Sequence, residues 1–274
     1  MAARLSLSDG RRMFAKVVGR EPNPDSPDFH RAEARILNQM PPGLPVPRLS
    51  LTYDDGDWVG LFTEEIDGRT PDLPWSRGEL LRVVKAMESL IEMLTPCPFP
   101  TLSYADRHRR MFSQWHKMSQ AQDQNDDELA DLNPWARRHL NQLCELESRL
   151  DDASAGNTLL HSDLRADNIL IGRDRVYFVD WPSACVGAGW IDLLSFLPSV
   201  AMQGGPRPWT IFDQSTLCRD ANEDDVTSVL SGVAGFFIGE SRKPPPPGLS
   251  TLRAFQRAQG VEALSWLRHR LGVR

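Results

Sequence analysis

The stretch His161-Ser162-Asp163-Leu164-Arg165-Ala166-Asp167-Asn168-Ile169-Leu170 decides how this 274-residue chain is read. It crowds a histidine, two aspartates, an arginine and an asparagine into eight positions, and an apolar run follows at once. Polar groups are costly to hold in a folded interior without partners, so the cluster calls for a ligand or for one another. Thr158-Leu159-Leu160 before it has the composition of a short strand. Ile169 to Ile171 forms a second, Gly172 to Arg175 a turn, and Val176 to Val179 a third strand with Asp180 at its end. Centring the hairpin near residue 174 sets Asn168 opposite Asp180, roughly 5 Å apart between α-carbons. The loop bearing Asp163 runs into that same end. An amide oxygen beside a carboxylate suits Mg2+, a hard ion that takes carboxylates together with phosphate oxygens. Asp163 is then placed to take a proton from a hydroxyl.

The segment before this cluster divides into a strand-rich opening and a helical remainder. ARLSLSDGRRMFAKVV predicts a hairpin turning at Ser8-Asp9-Gly10. The DFHRAEARILNQM helix follows, with Ser26 as N-cap, Pro27 at its first position and an apolar stripe of Phe29, Ala32, Ile36, Leu37 and Met40. RLSLTY and WVGLFTEEI give a second hairpin across Asp54 to Asp57. Beyond Asp67-Gly68 the period becomes helical, with apolar residues at 80, 83, 84, 87, 90, 91 and 94. Helices are also expected over 134–150, 190–200 and 250–271. Residues 1–66 are thus expected as a small antiparallel α+β lobe and 67–274 as a larger helical one, meeting at a cleft.

The form H-x-D-x-x-x-x-N, a hairpin, then an aspartate followed by tryptophan resembles the catalytic spine of aminoglycoside phosphotransferases and related small-molecule kinases of protein-kinase-like fold. The resemblance covers residues 4–67 and 158–200. It implies ATP (or GTP) and Mg2+ as cofactors, Asp163 as the catalytic base, and Asn168 and Asp180 as metal ligands. It also requires a strand lysine for the nucleotide phosphates. Lys16 lies inside the apolar strand Phe14 to Val18, and Glu33, placed within the apolar stripe of the helix, is its expected partner. Glu64, Glu65 and Ile66, linking the two parts, are expected to hold the adenine edge. His161 and Asp192 are expected to support the catalytic loop.

The chain also departs from that family's pattern. Only a few residues precede ARLSL, so the first strand and phosphate-covering loop of the fold are expected to be missing. Ser162 stands where the family carries glycine, which requires a backbone not strictly left-handed there. Trp181-Pro182 follows the metal aspartate, so no activation-segment switch is expected.

The implied activity is phosphoryl transfer to a hydroxyl of a small, cationic molecule, such as an aminoglycoside-like antibiotic or an amino alcohol. Acidic stretches at 64–67, 125–131 and 220–225 are the candidate contacts for positive charge, and Trp115, Trp190 and Trp209 candidate stacking surfaces. The alternative is a degenerate kinase-like module that binds without turnover. A net charge of −6 argues against nucleic acid as a partner. Four scattered cysteines lack any C-x-x-C spacing, and no run of 18 apolar residues occurs. A cytoplasmic monomer or homodimer with free thiols, away from the membrane, is expected.

Overall fold

The computed structural model describes residues 1–274 except 22, 125–128, 220, 247, 273 and 274. Its amino-terminal lobe is a four-stranded antiparallel sheet in the order β1-β2-β4-β3, built from β1 (Ala2–Ser6), β2 (Arg12–Gly19), β3 (Leu49–Asp54) and β4 (Trp58–Glu64). The β1–β2 turn is closed by Gly10 N–H donating to Leu7 O at 3.0 Å, and Gly10 takes the left-handed φ of 85° that this turn requires. Lys16 lies in β2, paired on one side with Ala2 and on the other with Leu61. Helix α1 (Ser26–Gln39) packs across the sheet. Its N-cap is Asp25 and not Ser26, so Pro27 falls one position deeper than expected. Ile36, Leu37 and Glu33 of α1 are buried, but Phe29 is 51% exposed and leaves the expected core stripe.

The second lobe contains α2 (Arg77–Met93), α3 (Tyr104–His108), α4 (Gln114–Gln124), α5 (Pro134–Arg138), α6 (Leu140–Ser148) and α7 (Leu150–Ala153) before the His161–Asn168 segment. The single helix expected over 134–150 is therefore three short ones. Breaks fall at His139 and Arg149, whose backbones leave helical geometry. A small two-stranded sheet pairs β6 (Thr158–Leu160) with β9 (Cys185–Gly187). A three-stranded sheet in the order β5-β7-β8 is formed by β5 (Gly68–Arg69), β7 (Ile169–Gly172) and β8 (Val176–Phe178). After it come α8 (Ile191–Met202), α9 (Pro208–Phe212), α10 (Glu223–Ser241) and α11 (Leu252–Arg270). Helix α10 was not expected. It is apolar nearly all round, so it carries little periodic signal, and its acidic first turn resembles solvated loop. Asn222 caps it by accepting from the N–H groups of Asp224 and Asp225.

The core runs through α2, α8, α10 and α11, where Leu193, Leu194, Leu197, Val229, Trp266 and Leu267 are fully buried. It continues under the β7–β8 hairpin through Ile169, Phe178 and Trp181. Phe178 N–H donates to Pro45 O at 2.9 Å, one direct tie between the hairpin and the amino-terminal lobe. All four cysteines are free thiols. Among the described residues no helix is long and apolar enough to cross a membrane.

Candidate active site

The β7–β8 hairpin turns through two residues, Arg173 and Asp174, closed by Gly172 N–H donating to Arg175 O at 3.0 Å. Its axis therefore falls between residues 173 and 174, and Ile169 faces Phe178. This corrects the expected register by one position. Asn168 sits opposite Val179, whose N–H donates to Asn168 O at 3.0 Å. Asp180 lies one residue further on with a left-handed φ of 68°.

Two cavities meet at the loop between β6 and β7. The first, about 500 Å³, lies between the lobes and is lined by Lys16, Glu33, Glu64, Ile66, Asp167 and Asp180 among others. Lys16 Nζ lies 2.8 and 3.0 Å from the two oxygens of Glu33 and also bonds Asp180 Oδ1. Burial works to lower the Lys16 pKa, but Glu33 and Asp180 together outweigh it and hold the ammonium above its ordinary value. Glu33 is only 4% exposed, and burial draws its carboxyl pKa upward against the pull of Lys16. The contact with both carboxylate oxygens favours the ionised form of the pair.

The linking segment 64–66 also borders this cavity. Glu64 N–H donates to Arg48 O and Glu65 N–H to Arg12 O. Among the described residues no acceptor meets the Ile66 N–H, which leaves it available to a ligand. Glu65 lines the cavity as well, with its carboxylate accepting from Arg12 Nη2 at 2.6 Å.

The loop itself is held from below. Asp192, at the start of α8 and 1% exposed, accepts the His161 N–H at 2.7 Å and the Ser162 N–H at 2.8 Å. Burial raises its pKa to about 6 against those two donors. His161 is fully buried, its Nε2 is 2.8 Å from Val179 O, and its Nδ1 accepts the Asp163 N–H at 3.3 Å. A carbonyl only accepts, so Nε2 carries the proton and the ring is neutral, its pKa lowered to about 4 by burial. Asn168 donates Nδ2–H to Asp163 O at 2.7 Å, leaving Oδ1 for a ligand.

Ser162 departs from expectation. Its φ is 67°, the left-handed region that favours glycine. The serine hydroxyl is held by His108, whose Nε2 lies 2.6 Å away. His108 is buried, its ring 4.5 Å from that of Tyr104 and stacked on Phe112. Sequence reasoning missed His108, because α3 is a five-residue helix too short to show a period.

Asp163 faces the second cavity, about 710 Å³. Its side chain is 47% accessible, yet the enclosing protein raises its pKa to about 6, with Arg165 opposing and Asp167 and Asp180 adding to the rise. The other walls are mainly aromatic and aliphatic. None of the three candidate tryptophans lines it: Trp115 and Trp190 are buried in the core, and Trp209 stacks on His269. Of the acidic stretches, 125–128 and 220 lie outside the described residues, and none of 64–67, 129–131 and 221–225 contributes to this cavity.

A two-lobed, protein-kinase-like fold with a lysine–glutamate pair on one side of an H-x-D loop and an open aspartate on the other defines the class. The model of the phosphotransferase enzyme family (APH) matches residues 3–223, and the chain belongs to that family. Among solved structures it is similar to choline kinase LicA from Streptococcus pneumoniae, at 15% identity and a TM-score of 0.61 over 97% of this chain and 89% of that one. It is similar to aminoglycoside phosphotransferase APH(4)-Ia in ternary complex with AMP-PNP and hygromycin B, at 12% identity and a TM-score of 0.61 over 97% and 93%. A choline/ethanolamine kinase family protein from Mesorhizobium loti gives 14% identity and a TM-score of 0.60 over 98% and 88%. No curated protein matches the chain.

Proposed function

We propose that this protein transfers the γ-phosphoryl group of ATP, as its magnesium complex, to a hydroxyl of a small molecule. The observation that carries this reading is the division of the catalytic loop between two cavities. Lys16, Asp167 and Asp180 border one, Asp163 opens into the other, and the transferred group must pass between them.

In this reading the Lys16 ammonium, held by Glu33, contacts the nucleotide phosphates. The Ile66 N–H meets the adenine edge. Asn168 Oδ1 and the Asp180 carboxylate would hold the ion, a hard oxygen pair of the kind Mg2+ takes alongside phosphate oxygens. Among the described residues no group of three or more His, Cys, Asp or Glu side chains forms a metal cage, so the protein supplies a partial shell. When bound, Mg2+ neutralises charge on the phosphates. Asp163 orients the acceptor hydroxyl and takes its proton as the alcohol oxygen bonds to the γ-phosphorus. The bond from that phosphorus to the β–γ bridging oxygen breaks, and ADP leaves.

The AMP-PNP and hygromycin B bound in a structural relative support a nucleotide and a small acceptor as the two substrates. The test is magnesium-dependent transfer from γ-labelled ATP to a panel of alcohols, with Asp163→Asn as the control. Transfer by wild type that survives this substitution undiminished would refute the assignment. So would nucleotide binding without any turnover, which is the behaviour of a binding module.

A further inference from the structure

The composition of the cavity on the Asp163 side points to the kind of molecule it accepts. Its wall carries the six aromatic rings of Phe29, Tyr104, Phe112, Phe236, Phe237 and Phe255. Two large apolar residues at this wall, Phe29 and Leu249, are each 51% exposed, so their surfaces remain available to a ligand. Phe29 comes from α1 of the opposite lobe, which explains why it leaves the core stripe of that helix.

Charge on this wall has the wrong sign for a polycation. The charged lining residues are Arg107, Arg165 and the single carboxylate of Asp163. Arg165 is turned towards the catalytic loop, with Nη2 2.9 Å from Asp167 and Nε 4.0 Å from Asp163. Arg107 donates from Nη2 to Pro182 O, and among the described residues no carboxylate lies within ion-pairing distance of it. Its remaining N–H groups are free for an acceptor atom. Gln259, 2% exposed and also lining the cavity, has an Oε1 without a hydrogen-bond partner. A polyamine entering here would bring several ammonium groups against one carboxylate and two guanidiniums, and like charges at close range repel.

Resting on the phosphotransferase reading above, we infer that the acceptor is a predominantly apolar, ring-bearing alcohol without ammonium groups, carrying a carboxylate or carbonyl oxygen that meets Arg107. The cavity volume suits a drug-sized molecule, and its aromatic walls supply the contact area. This acceptor differs in character from the aminoglycoside or amino-alcohol kind that the sequence suggested.

Two measurements on the full chain test this. The first follows binding of 8-anilinonaphthalene-1-sulfonate, an apolar anion, and of N-phenyl-1-naphthylamine, its uncharged counterpart. Both should bind one site per chain, and neither choline nor a tetra-amino sugar should displace them at a hundredfold excess. Arg107→Gln keeps a donor for Pro182 O and removes the charge. It should weaken the sulfonate about tenfold and leave the uncharged probe unchanged. Failure of either probe to bind the native chain, displacement by the amines, or an unchanged sulfonate affinity in the variant would overturn the inference.

The second measurement is transfer from γ-labelled magnesium-ATP to hydroxylated aryl acids and ketones, set against amino alcohols and amino sugars. The former should show a kcat/KM at least a hundredfold higher, and the reverse ranking would overturn the inference. Absence of transfer to every class, with probe binding as described, would strike the phosphotransferase reading and leave the cavity's preference standing.

Discussion

Replacing Ser162 by glycine and by alanine separates two forces that act on the catalytic loop. At a φ of 67° the serine backbone is strained, and a left-handed conformation costs a residue with a β-carbon about 1–2 kcal/mol. Its hydroxyl meets His108 Nε2 at 2.6 Å in a buried setting. Alanine keeps the strain and deletes that bond, leaving an imidazole nitrogen unpaired at a cost of about 1–3 kcal/mol. Glycine deletes the same bond but relieves the strain, and gives back about 0.4–1 kcal/mol through the freer unfolded chain. Ser162→Ala is therefore expected to be about 2 kcal/mol less stable than wild type, and Ser162→Gly about 1 kcal/mol more stable than the alanine variant. With roughly 2–4 °C per kcal/mol for a chain somewhat smaller than this one, alanine should lower Tm by about 4–8 °C. Urea unfolding of the three proteins, fitted by linear extrapolation, checks the order. A His108→Leu partner completes a double-mutant cycle with an expected coupling of about 1 kcal/mol. An alanine variant as stable as the glycine one would refute the strain argument, and zero coupling would refute the role of His108.

The remaining expectations concern chemistry and pH. Asp163→Asn should lower kcat by about 10²–10⁴ with nucleotide affinity within a few-fold of wild type, read by steady-state kinetics beside nucleotide titration. In the proposed reaction Asp163 is ionised to take the proton, and with its pKa raised to about 6, log kcat/KM should fall with unit slope below that pH and level above it. Glu33→Gln should raise the nucleotide KM less than Lys16→Met does, since glutamine still accepts from the ammonium. An equal effect would show that the Glu33 charge, and not an acceptor oxygen alone, is needed to hold Lys16. His161 and His108 are both held neutral with pKa values lowered to about 4 by burial. A depressed folded pKa gives a contribution to stability that is complete above the unfolded value near 6.5 and is lost as pH falls towards 4. The part of the urea midpoint owed to these two histidines should accordingly decline between pH 6.5 and 4. Asp192, raised to about 6, acts in the opposite sense: its contribution is greatest below the unfolded value and is lost as pH rises through 6. His161→Asn should flatten the acid limb, and an unchanged limb would remove His161 from the account.

How far the sequence could be read depended on the range of the interactions involved. The amino-terminal lobe was legible because its turns and alternating runs are local signals: both hairpins and α1 stand close to where Gly10, Asp55-Gly56 and Pro27 put them. The Lys16–Glu33 pair was legible because a carboxylate in an apolar helix stripe needs a cation, and the structure sets them at 2.8 Å. The hairpin register slipped by one because composition does not distinguish a two-residue turn from a three-residue one, and a single residue changes which side chains face each other. Helix α10 escaped because a helix buried on all sides has no periodic face. Ser162 looked like a relaxed position because its strain is supported by His108, 54 residues away in sequence. No local pattern carries that information.

The acceptor side of the site marks the boundary of such reading more sharply. The His161–Asn168 loop is a short, dense motif, as the proposed phosphoryl transfer requires of a base, metal ligands and loop supports that must lie within a few ångströms of one another. The acceptor wall has no such constraint. Phe29, Arg107, Phe236 and Phe255 come from four helices or their flanks and converge only after the lobes have closed on each other. Net charge pointed to a cationic partner, but an average over the surface says little about one cavity, and the −6 of the whole chain sits alongside a wall where guanidiniums outnumber carboxylates two to one. Selectivity for the acceptor should therefore follow the local wall and not the total. Substituting exposed acidic residues such as Asp72 or Asp224, which lie outside both cavities, should change the chain's net charge without altering the ranking of acceptors. A ranking that moved with net charge, while the Arg107→Gln variant left it in place, would mean that long-range steering and not cavity chemistry selects the alcohol.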